Sequence, residues 1–106
     1  MTCPIEVTVN FLGDKWKVLI MRNLLLRGTQ RFGELSRGIN GISQKMLTQQ
    51  LRQLEADGLI ARKVYAQVPP RVEYSLTGFG HSLKPIFDAM HSWGTSYLDN
   101  SYDKSN

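Results

Sequence analysis

The stretch SQKMLTQQLRQLEADG, residues 43–58, followed by LIARKVYAQVPPRVEYSL, residues 59–76, decides how this chain folds. Ser43 can accept a backbone N–H as an N-cap, and Gly58 is a preferred residue just past a last helical turn, so the spacing predicts a helix from about Ser43 to Asp57. It is entered through a tight turn at Asn40-Gly41. At the helical period Leu47, Leu51 and Leu54 share one face, while Gln44, Lys45, Thr48, Gln49 and Arg52 gather on the opposite one. The apolar side is core. The polar side carries amides, a hydroxyl, one Lys and one Arg, with no acid until Glu55, a set of donors and acceptors suited to base edges and phosphates. Taken alone, the segment also fits a Gln-rich surface helix.

Its neighbours narrow the reading. Upstream, Phe32, Leu35 and Ile39 recur at helical spacing and Gly38 closes the segment, so a short helix, a Gly-containing turn and a polar second helix form a helix-turn-helix over about 31–57. Arg31 and Arg37, at the ends of the first element, are placed to hold a nucleic-acid backbone. Downstream, Leu59 to Tyr65 is rich in β-branched and aromatic residues, and Arg71 to Leu76 alternates polar with apolar, as half-buried strands do. Ala66 to Pro70 forms the loop between them. Pro69 and Pro70 donate no ladder hydrogen bonds, so the tip is a stiff turn, and Arg71 beside it can reach a phosphate or the minor groove. A plain hairpin with a surface Arg is the alternative; position directly after the polar helix favours a two-stranded β-wing over about 59–76.

The expected fold class is therefore α+β, mainly helical: one winged helix-turn-helix domain spanning 1–106 with terminal helices at about 4–12 and 77–100. The 106 residues contain no apolar run near the ~20 residues that span a bilayer. No basic, then apolar, then small-residue leader is visible, and a single cysteine forms no internal disulfide, so a cytoplasmic location is expected. The net charge of +4 hides an asymmetry: residues 15–72 hold 11 Lys or Arg against Glu34, Glu55 and Asp57, a local +8, while each flank carries −2. A cationic centre suits a polyanion and predicts salt-dependent binding through counterion release. An acidic membrane would attract the same charge, but there is no basic amphipathic helix with exposed Trp or Phe to lie in it.

The outer helices carry apolar stripes. Pro4 at a first helical position, then Ile5, Val9 and Leu12 before Gly13, predicts a short first helix. Lys15 to Leu26 follows with Trp16, Leu19, Ile20, Leu24 and Leu25 as core. Thr77 can cap a last helix in which Leu83, Ile86, Phe87, Met90, Trp93, Tyr97 and Leu98 recur every three or four residues to about Asn100, with Pro85 kinking it or marking its real start. This stripe could pack wholly on its own domain, but its length and its aromatic and Met content favour pairing with a second copy, so Ile5, Val9, Leu12, Leu83, Phe87, Met90, Trp93 and Tyr97 are expected at a homodimer interface.

These residues together carry a resemblance over nearly the whole chain. Cys3-Pro4-Ile5-Glu6, Gly13-Asp14-Lys15-Trp16-Lys17, Arg31-Phe32-Gly33-Glu34-Leu35, Ile42-Ser43-Gln44-Lys45-Met46-Leu47, Leu51-Arg52-Gln53-Leu54-Glu55-Ala56-Asp57-Gly58-Leu59, Pro69-Pro70-Arg71-Val72-Glu73-Tyr74 and Leu76-Thr77, in that order, resemble the HxlR family of bacterial transcriptional regulators, relatives of the MarR regulators. The resemblance implies a homodimer, formed through the first and last helices, that binds double-stranded operator DNA to repress or activate nearby genes. On that pattern Ser43 to Arg52 reads the major groove and Pro69-Pro70-Arg71 is the wing tip. Cys3 matches a position at which some members sense oxidants or electrophiles, and its place at a helix N-terminus favours a thiolate. Without a second cysteine, a disulfide would have to be intersubunit or with a small thiol; a half-buried inert thiol is the alternative.

Enzyme chemistry finds no support in the residues. His81 and His91 lack the spacing of a helical zinc pair, Ser43 has no partnered His, and Thr77-Gly78-Phe79-Gly80 lacks the third glycine and the Lys of a phosphate-cradling loop. No cofactor or metal is expected. The competing reading is a winged-helix module that binds protein, which would call for a mixed or acidic recognition face with large exposed apolar residues. RNA binding lacks the stacking aromatics of single-strand readers.

Overall fold

The computed structural model describes residues 2–99. Helix α1 (Pro4–Leu12) begins with proline in its first turn and leads through Gly13 into α2 (Lys15–Arg27), whose N-cap Asp14 accepts the Lys17 N–H at 3.2 Å. A two-residue strand β1 (Gln30–Arg31) enters α3 (Phe32–Gly38), where Glu34 accepts the Arg31 backbone N–H at 2.9 Å. Then come α4 (Gln44–Ala56), strands β2 (Ile60–Tyr65) and β3 (Arg71–Leu76), a single turn α5 (Gly78–His81) and α6 (Lys84–Leu98).

One feature differs from the sequence expectation, and a second decides between two alternatives it left open. The sheet has three strands, not two: it is antiparallel in the order β1-β3-β2, with Gln30 opposite Tyr74 and Arg31 opposite Glu73. Two residues are too few for alternation to reveal a strand, and β1 exists only because β3 presents it a free edge. The last helix is also divided. Thr77 caps α5 by accepting the Gly80 N–H at 3.0 Å, and Pro85 sits in the first turn of α6, marking a new start where its missing N–H costs nothing. The described part of α6 ends at Leu98; Asn100 lies outside the described residues.

The core lies between α2, α4 and the inner face of the sheet. Leu47, Leu51 and Leu54 of α4 are buried against Ile20, Met21 and Leu24 of α2, Leu35 of α3, and Ile60, Tyr74 and Leu76 of the sheet. Each such side chain removed from water stabilises the fold by about 1.5–3 kcal/mol. Gly58, at φ 77, turns the chain from α4 into β2 in a conformation few residues other than glycine adopt. Gly80 serves a different purpose: a Cβ there would overlap the Leu59 carbonyl oxygen, so only glycine lets α5 close onto the α4–β2 turn. Three amide side chains are buried with the apolar ones. Gln30 donates to the Asn23 carbonyl at 2.8 Å, Asn23 to the Leu19 carbonyl at 3.1 Å, and Gln50 to Asp14 Oδ2 at 3.2 Å. No helix among the described residues is long and apolar enough to cross a membrane.

Candidate nucleic-acid interface

Helix α4 displays its polar face as the sequence spacing expects. Ser43 accepts the Met46 N–H at 3.0 Å, satisfying one of the donors that an uncapped first turn would leave open. Gln44, Lys45 and Gln49 are exposed and Thr48 half-buried; together with Phe32, Arg52 and Gln53 they line one broad concavity. Rigidity comes from the other side of the helix, where the leucines are locked in the core. That tie is reinforced by Gln50, which composition alone groups with the polar residues. It stands three after Leu47 and four before Leu54, so the helical period places it inward, and its amide joins α4 to the α1–α2 joint through Asp14.

The hairpin of β2 and β3 is paired from Ile60 opposite Leu76 to Tyr65 opposite Arg71. Its tip is exposed, and the Val68–Pro69 peptide is cis. Arg71 does not project from the tip as expected. Its guanidinium lies 4.0 Å from the Tyr65 ring centroid, and its Nε is 3.5 Å from Glu73 Oε2, near enough for an ion pair but without hydrogen-bond geometry. The register explains this: Tyr65 is directly across from Arg71, and an aromatic face attracts a guanidinium. Lys63 Nζ, 4.9 Å from the same centroid, brings a second cation to the stem. Pro69 and Pro70 are left as the tip.

Other expected contact residues are more dispersed. Arg31 is exposed beside Glu73 on the outer face of the sheet. Arg37 lines a separate depression with Arg27, Thr29, Gln30, Glu34 and Gly38, not the α4 concavity. Conversely, Arg62 of β2 was absent from the expected set. It shares a cleft with Thr48, Arg52 and Glu55 of α4, and strand alternation from buried Ile60 is the signal that points it toward the helix.

The eight residues expected at a dimer interface fall into two groups. Phe87 is buried in the domain's own core, and Leu12 and Leu83 pack against it. Ile5, Val9, Met90, Trp93 and Tyr97 are exposed on α1 and α6, with the Trp93 and Tyr97 rings stacked at 5.9 Å between centroids. Alpha-helical spacing explains the division, since a stripe every three or four residues on a long helix is wider than one small domain can cover. Phe11 meets Phe79 edge to face at 5.3 Å, docking α1 on α5. Cys3 is exposed at the N-cap of α1.

Residues 11–102 match the family model of the HxlR-like helix-turn-helix. The chain belongs to the HxlR family. Among HxlR-type relatives, the HTH-type transcriptional regulator YdeP of Bacillus subtilis is 50% identical over 97 residues, covering 92% of this chain and 75% of YdeP. The redox regulator HypR in its reduced form superposes with a TM-score of 0.86 at 49% identity, covering 94% of this chain and all of that one. A MarR-family regulator from Porphyromonas gingivalis superposes with a TM-score of 0.82 at 44% identity, covering 88% and 90% of the two chains. This HxlR protein is thus a transcriptional regulator with a winged helix-turn-helix DNA-binding fold.

Proposed function

We propose that the protein acts as a homodimer on a palindromic DNA operator, the whole chain serving as one winged helix-turn-helix unit. The observation that carries this reading is the polar face of α4, which bears no acid before Glu55, held out from a leucine-anchored core at the centre of a segment with a local charge of +8. In the major groove, Gln44 and Gln49 suit adenine edges, Thr48 a thymine methyl, and Lys45 and Arg52 guanine or phosphate, while Ser43 can give its hydroxyl proton to a backbone oxygen. Arg31 and Arg37 hold flanking phosphates, and the Pro69-Pro70 tip with Arg71 and Lys63 behind it lies over the adjacent minor groove. The exposed apolar residues Ile5 and Val9 of α1 and Met90, Trp93 and Tyr97 of α6 meet a second copy, whose two-fold axis generates two half-sites.

The test is fluorescence anisotropy against a duplex from the gene's own upstream intergenic region and a scrambled duplex, across a salt series. The expected result is tight, salt-sensitive binding at least ~10³ over the scrambled duplex. Weak, equal binding to every duplex tried would turn the reading toward a protein-binding winged helix.

Regulation by oxidants belongs to the same reading. Cys3 is exposed at a helix N-terminus, and the similar HypR is named a redox regulator. Two Cys3 thiols, or one with a small thiol, would lose two hydrogens to an oxidant such as diamide and form one disulfide. Diamide should abolish operator binding by the native protein and spare Cys3→Ser; equal loss in both would remove Cys3 as the sensor.

A further inference from the structure

We propose that Arg52 of α4 and Arg62 of β2 form a two-guanidinium site for one backbone phosphate of duplex DNA, at the boundary between the grooves taken by α4 and the wing. The inference deepens the proposed DNA-binding function and rests on it. The cleft between helix and hairpin has a volume of about 380 Å³. On the helix side, Thr48, Arg52 and Glu55 stand at intervals of four and three, one stripe down the helix facing β2. On the strand side, Arg62 is paired with Tyr74, and directly opposed residues of an antiparallel pair share one face. Tyr74 is buried on the inner face, so Arg62 stands on that face too, just beyond the point where the core ends.

The charges of this cleft are uncommitted. Among the described residues the carboxylate partners found for cations are Glu73 with Arg71 and Asp88 with Lys84, so neither Arg52 nor Arg62 has a carboxylate within 4.0 Å. Glu55 lines the cleft without pairing to either, and the two guanidiniums outweigh it. With α4 in a major groove and the wing tip over the next minor groove, the DNA strand separating them must cross between helix and hairpin. A phosphate there meets two planar forks that can donate in parallel, together with the Thr48 hydroxyl. Arg52 is thereby assigned to positioning the duplex and not to reading a base.

Arg52→Ala, Arg62→Ala and the double variant, each checked for an unchanged urea midpoint, would be titrated by anisotropy against the intergenic and a scrambled duplex across salt. The expected result is a loss of about tenfold or more per single variant, by the same factor on both duplexes. Each should flatten the log–log salt slope by about one counterion. The double variant should lose less than the product of the singles, because both act on one phosphate. Native binding with an unchanged affinity and slope in Arg62→Ala would overturn the site while leaving the proposed function standing. A loss confined to the intergenic duplex with an unaltered slope would overturn it in favour of base reading. Absence of salt-dependent binding by the native protein to either duplex would instead remove the DNA-binding reading beneath it.

Discussion

Replacing Gly80 with alanine adds one methyl group at a place where the backbone of another element is in the way. The new Cβ would overlap the Leu59 carbonyl oxygen and come within 3.0 Å of Leu76 Cδ2. The Leu59 carbonyl cannot swing aside as a lysine tip would, because it accepts the Thr77 N–H at 3.1 Å. Thr77 Oγ1 in turn donates to the Gly58 carbonyl at 2.6 Å and accepts from the Gly80 N–H at 3.0 Å. Helix α5 must therefore lift from the α4–β2 turn and strain these bonds. Overpacking of this kind costs about 1–3 kcal/mol, and one or two weakened hydrogen bonds add about 1 kcal/mol each. The better helix propensity of alanine returns at most about 1 kcal/mol. A net loss of about 2–3 kcal/mol should lower Tm by about 10–20 °C in a domain of this size. The assay is thermal unfolding followed by circular dichroism at one protein concentration, since self-association would shift the midpoint. Gly78→Ala is the control: it lies in the same turn with no atom within 4 Å of its Cβ, and should stay within about 0.5 kcal/mol of the native protein. A Gly80→Ala midpoint no lower than that of Gly78→Ala would refute the close-approach argument.

Three further outcomes are expected. Asp14→Ala removes the acceptor of the Lys17 N–H and the carboxylate acceptor of the Gln50 amide, costing about 2 kcal/mol, and adding Gln50→Leu should restore part of it by deleting a buried amide left with only the weak Met46 Sδ acceptor; a double variant less stable than Asp14→Ala in urea unfolding would contradict this. Ser43→Ala should destabilise by about 1 kcal/mol through the lost α4 cap, visible as a Tm lower by several degrees, and an unchanged Tm would show that the cap is dispensable. Ile5→Glu places a charge on the exposed apolar side of α1 and should convert the proposed dimer to monomer in sedimentation equilibrium; an undiminished dimer would exclude this part of α1 from the proposed interface.

Much of the framework that carries the candidate interface is legible in the sequence because its signals are local. The Ser43 cap, the leucine period and Gly58 delimit α4 to within a residue, and the hairpin follows from β-branched and aromatic residues before the two prolines and alternation after them. Where composition is silent, period and register hold the answer. On the sequence reading Gln50 belongs to neither face, yet it occupies the inward stripe with Leu47, Leu51 and Leu54. Arg71 lies against the ring of its register partner Tyr65, a placement that follows from the strand pairing and not from the residue's charge. Phe87, Leu83 and Leu12 carry the same apolar signal as Met90 and Val9, and hydrophobicity does not say which side of a helix its own domain will cover.

The sequence by itself determined the order of the main helices and of the hairpin strands and the polar face of α4, because caps, turn residues and hydrophobic period act over a few neighbouring residues. Only the tertiary structure decided the third strand, the packing of Gly80 on Leu59, the Asp14–Gln50 tie and the cleft that Arg52 and Arg62 both line. Each of these joins residues distant in the chain, and which distant residues become neighbours depends on how all the elements pack around one core at once.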